Sequence, residues 1–114
     1  MKILLILNDP PYGTERSYNG LRLAKALAGK GAEVSAFLMA DAVICAKAGQ
    51  KAPQGYYNLE LMLKSVARKG DVLLCGTCMD ARGLADDELL EGAQRSTMDE
   101  LALCTMAADR VLVF

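Results

Sequence analysis

Two thiols three residues apart stand in the run Cys75-Gly76-Thr77-Cys78-Met79-Asp80-Ala81-Arg82-Gly83, directly after the apolar stretch Val72-Leu73-Leu74. A thiol just past a strand, near the start of a following turn and within reach of a guanidinium such as Arg82, should have a lowered pKa, and the thiolate is the reactive form. These residue types at this spacing suggest sulfur or redox chemistry. The bland alternative is that Cys75 closes the strand as a buried apolar residue and that Cys78 is incidental. A thioredoxin-like pair has the same outline, but in that fold the pair follows an early strand, and here a β-α-β-α series precedes it. A zinc site would need a second ligand pair. With only two further cysteines, Cys45 and Cys104, and no histidine, no metal site inside one subunit is expected.

The absence of histidine leaves thiols, carboxylates, tyrosines and backbone groups to do any chemistry. Asp9 and Asp80 are candidate proton handlers for that reason, although a solvated or capping role is the commoner one for a loop aspartate. Asp9 belongs to a second loop, Asn8-Asp9-Pro10-Pro11-Tyr12-Gly13. It carries neither a G-x-G-x-x-G nor a P-loop lysine, so no nucleotide and no other cofactor is expected. Its Pro-Pro-Tyr-Gly run makes a tight turn, and the Tyr12 ring is expected to wall one side of a crevice. Tyr56-Tyr57, in a Gly/Pro loop, suggests a lid or a subunit contact.

The elements that must hold these loops follow from apolar periodicity. Lys2 to Leu7 is a continuous aliphatic run, the pattern of a strand covered on both faces. A helix runs from Thr14 or Glu15 to Ala28 and stops at Gly29-Lys30-Gly31. Glu33 to Leu38 is a second strand, and Met39 to Ala48 reads as a short alanine-rich helix. Asn58 caps a helix to Arg68 whose apolar face is Leu59, Met62, Leu63, Val66 and Ala67. Asp71 to Cys75 is a third strand. Asp86 to Leu90 reads as a helical turn, Glu91 to Ser96 as a weak edge strand, Thr97 to Ala108 as a helix and Arg110 to Phe114 as a last strand. Alternating strands and helices imply a parallel sheet with right-handed crossovers and helices on both faces. In such sheets the ligand crevice lies beyond the carboxyl ends of the strands, near the switch in strand order, and both loops lie at that edge.

A chain of 114 residues is expected to form one domain, residues 1–114, burying roughly 65% of its unfolded surface. The hydrophobic fraction of 53% is rich for that size and leaves apolar surface for subunit contacts. Thirteen basic and fourteen acidic residues are spread along the chain, so neither nucleic acid nor an anionic membrane is an expected partner. No apolar run approaches the ~18 residues of a membrane span, and a cytoplasmic location with four reduced thiols is expected. Cys45 and Cys104 fall in alanine-rich helical patterns and read as buried small apolar residues.

Several segments together resemble the DsrE/DsrF sulfur-relay family, and most closely its YchN-like branch. They are Pro11-Tyr12-Gly13-Thr14-Glu15, Leu21-Arg22-Leu23-Ala24, Phe37 to Val43, Gly49-Gln50-Lys51, Gly55-Tyr56, Cys75-x-Thr77-Cys78-x-Asp80-x-Arg82-Gly83 and Ala108 to Leu112. The resemblance implies a flavodoxin-like three-layer α/β sandwich with a mostly parallel five-stranded sheet, assembled as a homo-oligomer, a trimer or a hexamer. TusD-like members carry sulfur as a persulfide and exchange it with donor and acceptor proteins. Their cysteine lies seven residues before the arginine of an Arg-Gly pair, which here makes Cys75 the implied carrier. Cys78 is characteristic of the YchN-like branch and would act as a resolving or protecting thiol. Arg82 would be an electrostatic support, and the backbone from Cys75 through Gly76 and Thr77 to Gly83 the site wall. The alternative is a non-catalytic oligomeric module that binds a small molecule or senses thiol redox state.

Overall fold

The computed structural model describes residues 1–114. Strands β1 (Lys2–Leu7), β2 (Glu33–Leu38), β3 (Val72–Cys75), β4 (Ala93–Ser96) and β5 (Arg110–Val113) form one sheet in the order β4-β3-β2-β1-β5. Every neighbouring pair is parallel, so the mostly parallel sheet expected from the resemblance is parallel throughout. Helices α1 (Arg16–Gly29), α2 (Leu59–Ala67), α3 (Gly76–Ala81) and α4 (Met98–Ala107) make the crossovers. The chain steps from β1 to β4 in one direction and then returns past β1 to β5. Right-handed crossovers therefore put α1, α2 and α3 on one face and α4 on the other.

The two faces are filled unequally. Fifteen buried residues, among them Leu7, Leu21, Leu38, Leu63, Leu74 and Met79, form the core under α1, α2 and α3. Beneath α4 the cluster holds five, Leu4, Phe37, Leu73, Cys75 and Leu101. α4 covers that face alone and is itself largely exposed, with Leu103 68% and Met106 84% accessible. Val113, on the edge strand β5, is 63% accessible.

Asn58 caps α2 as its residue type predicts, its side chain accepting the Leu61 N–H at 3.2 Å. Thr97 does the same for α4, accepting from Glu100 N–H at 3.1 Å. The helix expected over Met39–Ala48 is instead a 3-10 segment, Ala40–Ala46. Its first residue, Ala40, is the one non-glycine residue with positive φ, at 49°. A left-handed entry of this kind cannot propagate an α-helix from its first turn. The loop expected over Cys75–Gly83 is helix α3 for most of its length, and Gly83, φ 64°, turns the chain out of it.

Candidate functional site

Cys75 ends β3 and is the N-cap residue of α3, so one residue belongs to both elements. Its Sγ accepts the backbone N–H of Cys78 at 3.4 Å, in the place where a serine or aspartate oxygen usually serves. The Cys75 side chain is buried in the α4-side cluster, and Cys78 is half-buried between the two clusters. All four cysteines are free thiols, and the side chains of Cys75 and Cys78 lie in hydrogen-bond contact with each other.

The electrostatics of Cys78 run against the expected lowering. Desolvation pushes its thiol up from the ordinary value, and the Cys75 sulfur beside it pushes the same way. The Ala40 amide N–H and the Arg82 guanidinium favour the thiolate but do not prevail. Cys78 is therefore a proton holder at neutral pH. Arg82 reaches this position by donating from Nε to Asp41 Oδ1 at 2.9 Å and from Nη1 to the Cys78 carbonyl at 3.1 Å. Its contact with the loop is thus to the second thiol and its peptide.

A second arginine fixes α3 from the other side. Arg95 on β4 donates from Nη1 to the Gly76 carbonyl at 3.1 Å and to Asp80 Oδ1 at 3.0 Å, and from Nε to Asp86 Oδ1 at 2.8 Å. A Cβ at Gly76 would stand 3.0 Å from Arg95 Nη1 and 3.2 Å from the Ser96 carbonyl oxygen, so glycine is what lets α3 start against β4. Thr77 follows on the first turn of α3 and is exposed. Asp80, a candidate proton handler, is an exposed ion-pair partner of Arg95.

The Asn8–Gly13 loop is at the same sheet edge but is held apart from the thiols. β2 and the 3-10 segment that follows it stand between them. Asp9 Oδ2 accepts from the Thr14 hydroxyl at 2.7 Å and lies 3.7 Å from Arg16 Nε; its carbonyl accepts from Ser17 Oγ at 2.8 Å. Asp9 thus ties its loop to the residues that enter α1, and its carboxylate meets Thr14 and Arg16 and neither loop thiol. Tyr12 donates to Gln50 Oε1 at 2.5 Å and accepts from Leu59 N–H at 3.2 Å. Its ring stacks on Tyr57 at 5.9 Å, and Tyr57 stacks in turn on Tyr18 at 3.9 Å. This tyrosine stack anchors the 47–58 loop. Gly13 sits tight against Pro10, where an added Cβ would come within 2.9 Å of Pro10 Cγ. Nor do the thiols sit at the switch in strand order. That switch lies between β1 and β5, where Asn8 N–H and Nδ2 both donate to the Phe114 carbonyl.

Cys45 is buried as expected, and desolvation pushes its thiol from 9.0 to about 12. Cys104, expected to be buried, is half-buried because α4 lies on the thinly covered face; desolvation, with Glu100 and Asp71 adding to it, raises its thiol too. The three main cavities are lined by neither Cys75 nor Cys78. No group of side chains fit to hold a metal ion occurs, and no helix is long and apolar enough to cross a membrane. Sequence reasoning missed Ala40, Asp41 and Arg95. Asp41 lay inside a matched segment, whereas nothing local marks Arg95, whose role depends on β4 pairing beside β3.

A C-x-x-C that caps a helix at the carboxyl edge of a five-stranded parallel sheet, with an Arg-Gly pair closing that helix, defines the class. A sequence model of the DsrE/DsrF-like family matches residues 1–114, and the chain belongs to that family. It is 42% identical to Protein YchN of Escherichia coli K12, over 99% of this chain and 98% of that one. It is also 37% identical to the uncharacterized protein MJ0989 of Methanocaldococcus jannaschii, over the whole of both. The crystal structure of the ychN protein from E. coli superimposes with a TM-score of 0.93 at 41% identity, covering 100% of this chain and 99% of that one. A protein of unknown function from Methanobacterium thermoautotrophicum, MTH1491, shares the fold at a TM-score of 0.76 and 12% identity, covering 99% of this chain and 97% of that one.

Proposed function

We propose that this protein is a persulfide-carrying, sulfurtransferase-like member of its family, with Cys75 as the carrier and Cys78 as its partner thiol. The observation that carries the reading is the convergence of two free thiols at the start of α3, with the Ala40 amide and Arg82 beside Cys78. In the loading step the Cys75 thiolate attacks the outer sulfur of a donor persulfide, forming an S–S bond and releasing the donor thiolate. In delivery an acceptor thiolate takes that outer sulfur and returns Cys75 as thiolate. Should Cys78, as thiolate, attack the inner sulfur instead, hydrosulfide leaves and a Cys75–Cys78 disulfide remains, which a dithiol reductant must reopen by supplying two electrons. Neither thiol lies in a main cavity, which suits a partner protein presenting its own cysteine better than a small substrate that must be enclosed.

The same reading includes a homo-oligomer, a trimer or hexamer, assembled through the apolar side of α4 and β5. Leu103, Met106 and Val113 supply the surface. The second reading is a thiol redox sensor, favoured by the direct contact between the two thiols. The experiment that separates them treats the reduced protein with a persulfide donor and maps adducts by mass spectrometry. A gain of one sulfur atom at Cys75, more abundant in Cys78→Ser, is expected. Disulfide alone, with no sulfur adduct in either protein, would leave the sensor and remove the carrier.

A further inference from the structure

α1 and α2 run side by side over the larger core, and their C-terminal ends lie at the sheet edge opposite the thiols. Between them is an open groove of about 470 Å³, within the range of small-ligand sites. Buried Leu21 and Val34 lie at its floor, and Met62 and Val66 of α2 line it. Leu61 stands at its upper end, 61% accessible although apolar.

The charges on this groove are of one sign. Lys25, Arg68 and Lys69 line it, no carboxylate does, and none of the three takes part in an ion pair or side-chain hydrogen bond. In a chain with fourteen acidic and thirteen basic residues, three unpaired cations on one apolar lining are a local excess. They are also placed asymmetrically. Arg68 and Lys69 follow the last turn of α2, and the lining from Leu61 to Val66 is apolar apart from Ser65. From Leu61 to Arg68 the helix climbs about 10 Å. Lys25 stands one turn back from the end of α1, so the charge gathers toward the C-terminal ends of the two helices. With the apolar α2 wall from Leu61 to Val66, this is the complement of a linear molecule with one anionic head and one apolar tail.

We propose that this groove binds a free medium-chain fatty carboxylate, with its head between Arg68 and Lys69 and its tail along Val66 and Met62 toward Leu61. The site is separate from the thiols, so it stands or falls independently of the sulfur-carrier reading.

Titrating methyl-labelled full-length protein with decanoate tests it. Saturable shifts are expected in the methyl signals of Leu21, Met62 and Val66, with little change at Leu103 or Met106. The double variant Arg68→Glu, Lys69→Glu should bind at least about tenfold more weakly. Decanol, with the same tail and no charge, should bind weaker than decanoate by a similar factor. If the double variant fails to fold, as judged by circular dichroism, the single variant Arg68→Glu takes its place, with a loss in the same direction expected. Shifts that do not saturate, that decanol reproduces at equal concentration, that map to α4, or that survive charge reversal would each overturn the proposal. So would a response only to an acidic peptide or to anionic vesicles, since the site would then belong to a macromolecule.

Discussion

The two faces of the sheet are built to different standards. Under α1, α2 and α3 lies a core of fifteen buried residues, while under α4 the cluster has five and the covering helix leaves Leu103 and Met106 in water. The two spare cysteines report the contrast: Cys45 is wholly buried in the first, and Cys104 is half-buried on the second. The difference teaches where stability and chemistry have been separated. One face holds most of the core, and the other buries Cys75 in a smaller cluster beneath a helix that leaves apolar side chains exposed. Cys78 packs against both clusters, so the thiol pair sits at their seam.

Removing the Cys45 thiol should give the largest effect on the filled face. In the folded chain that thiol holds its proton to about 12, against 9.0 ordinarily, so the folded state binds more protons between those values. Its contribution is complete below pH 9 and erodes as pH rises to 12, by about 4 kcal/mol for three pH units. Urea unfolding of Cys45→Ala across that window should show a correspondingly shallower alkaline loss, and an unchanged slope would mean that the thiol is not sequestered. Next comes Leu63→Ala, a cavity in the same core, which should cost about 3 kcal/mol in the urea midpoint. The smallest change in stability belongs to the thin face. Met106→Ser should stay within about 0.5 kcal/mol of the parent as a monomer. Sedimentation velocity should nonetheless show a smaller assembly, and an unchanged mass would take α4 out of the proposed interface.

What was legible in the sequence was what local pattern controls. β1 read as a doubly covered strand because five aliphatic residues in a row have no polar side to expose, and Asn58 read as a cap because its side chain serves its own helix. What was not legible depended on distant partners. Cys75 to Gly83 read as a loop, and the helix found there rests on a sulfur acting as cap and on Arg95 reaching back from β4 to the Gly76 carbonyl. Tyr12 was expected to wall one side of the crevice at the carboxyl edge of the sheet. Its ring does line a cavity of about 280 Å³, with Lys51, Pro53, Tyr56 and Tyr57, but the insertion of β2 between β1 and β3 sets that cavity apart from the thiols. The alanine-rich stretch after β2 failed as an α-helix because Ala40 enters it left-handed, a state that composition favours least. That strained peptide is also the one whose N–H faces Cys78, which composition could not foretell.

The sulfur of Cys75 holds two posts at once, as the proposed cargo bearer and as the fastening of α3 to β3. If Cys75 is loaded as proposed, or tied into a disulfide, the Cys78 amide must share that sulfur's lone pairs, and the first turn of α3 is then expected to loosen. The same helix is braced at its far end by Arg82 against Asp41 and along its side by Arg95 against Asp80. A loosened first turn would be felt at these two exposed struts, on the surface and away from the sulfur itself. Faster hydrogen exchange at the Cys78 amide on loading would be the sign of it, and unchanged exchange would show that the cap survives an occupied sulfur.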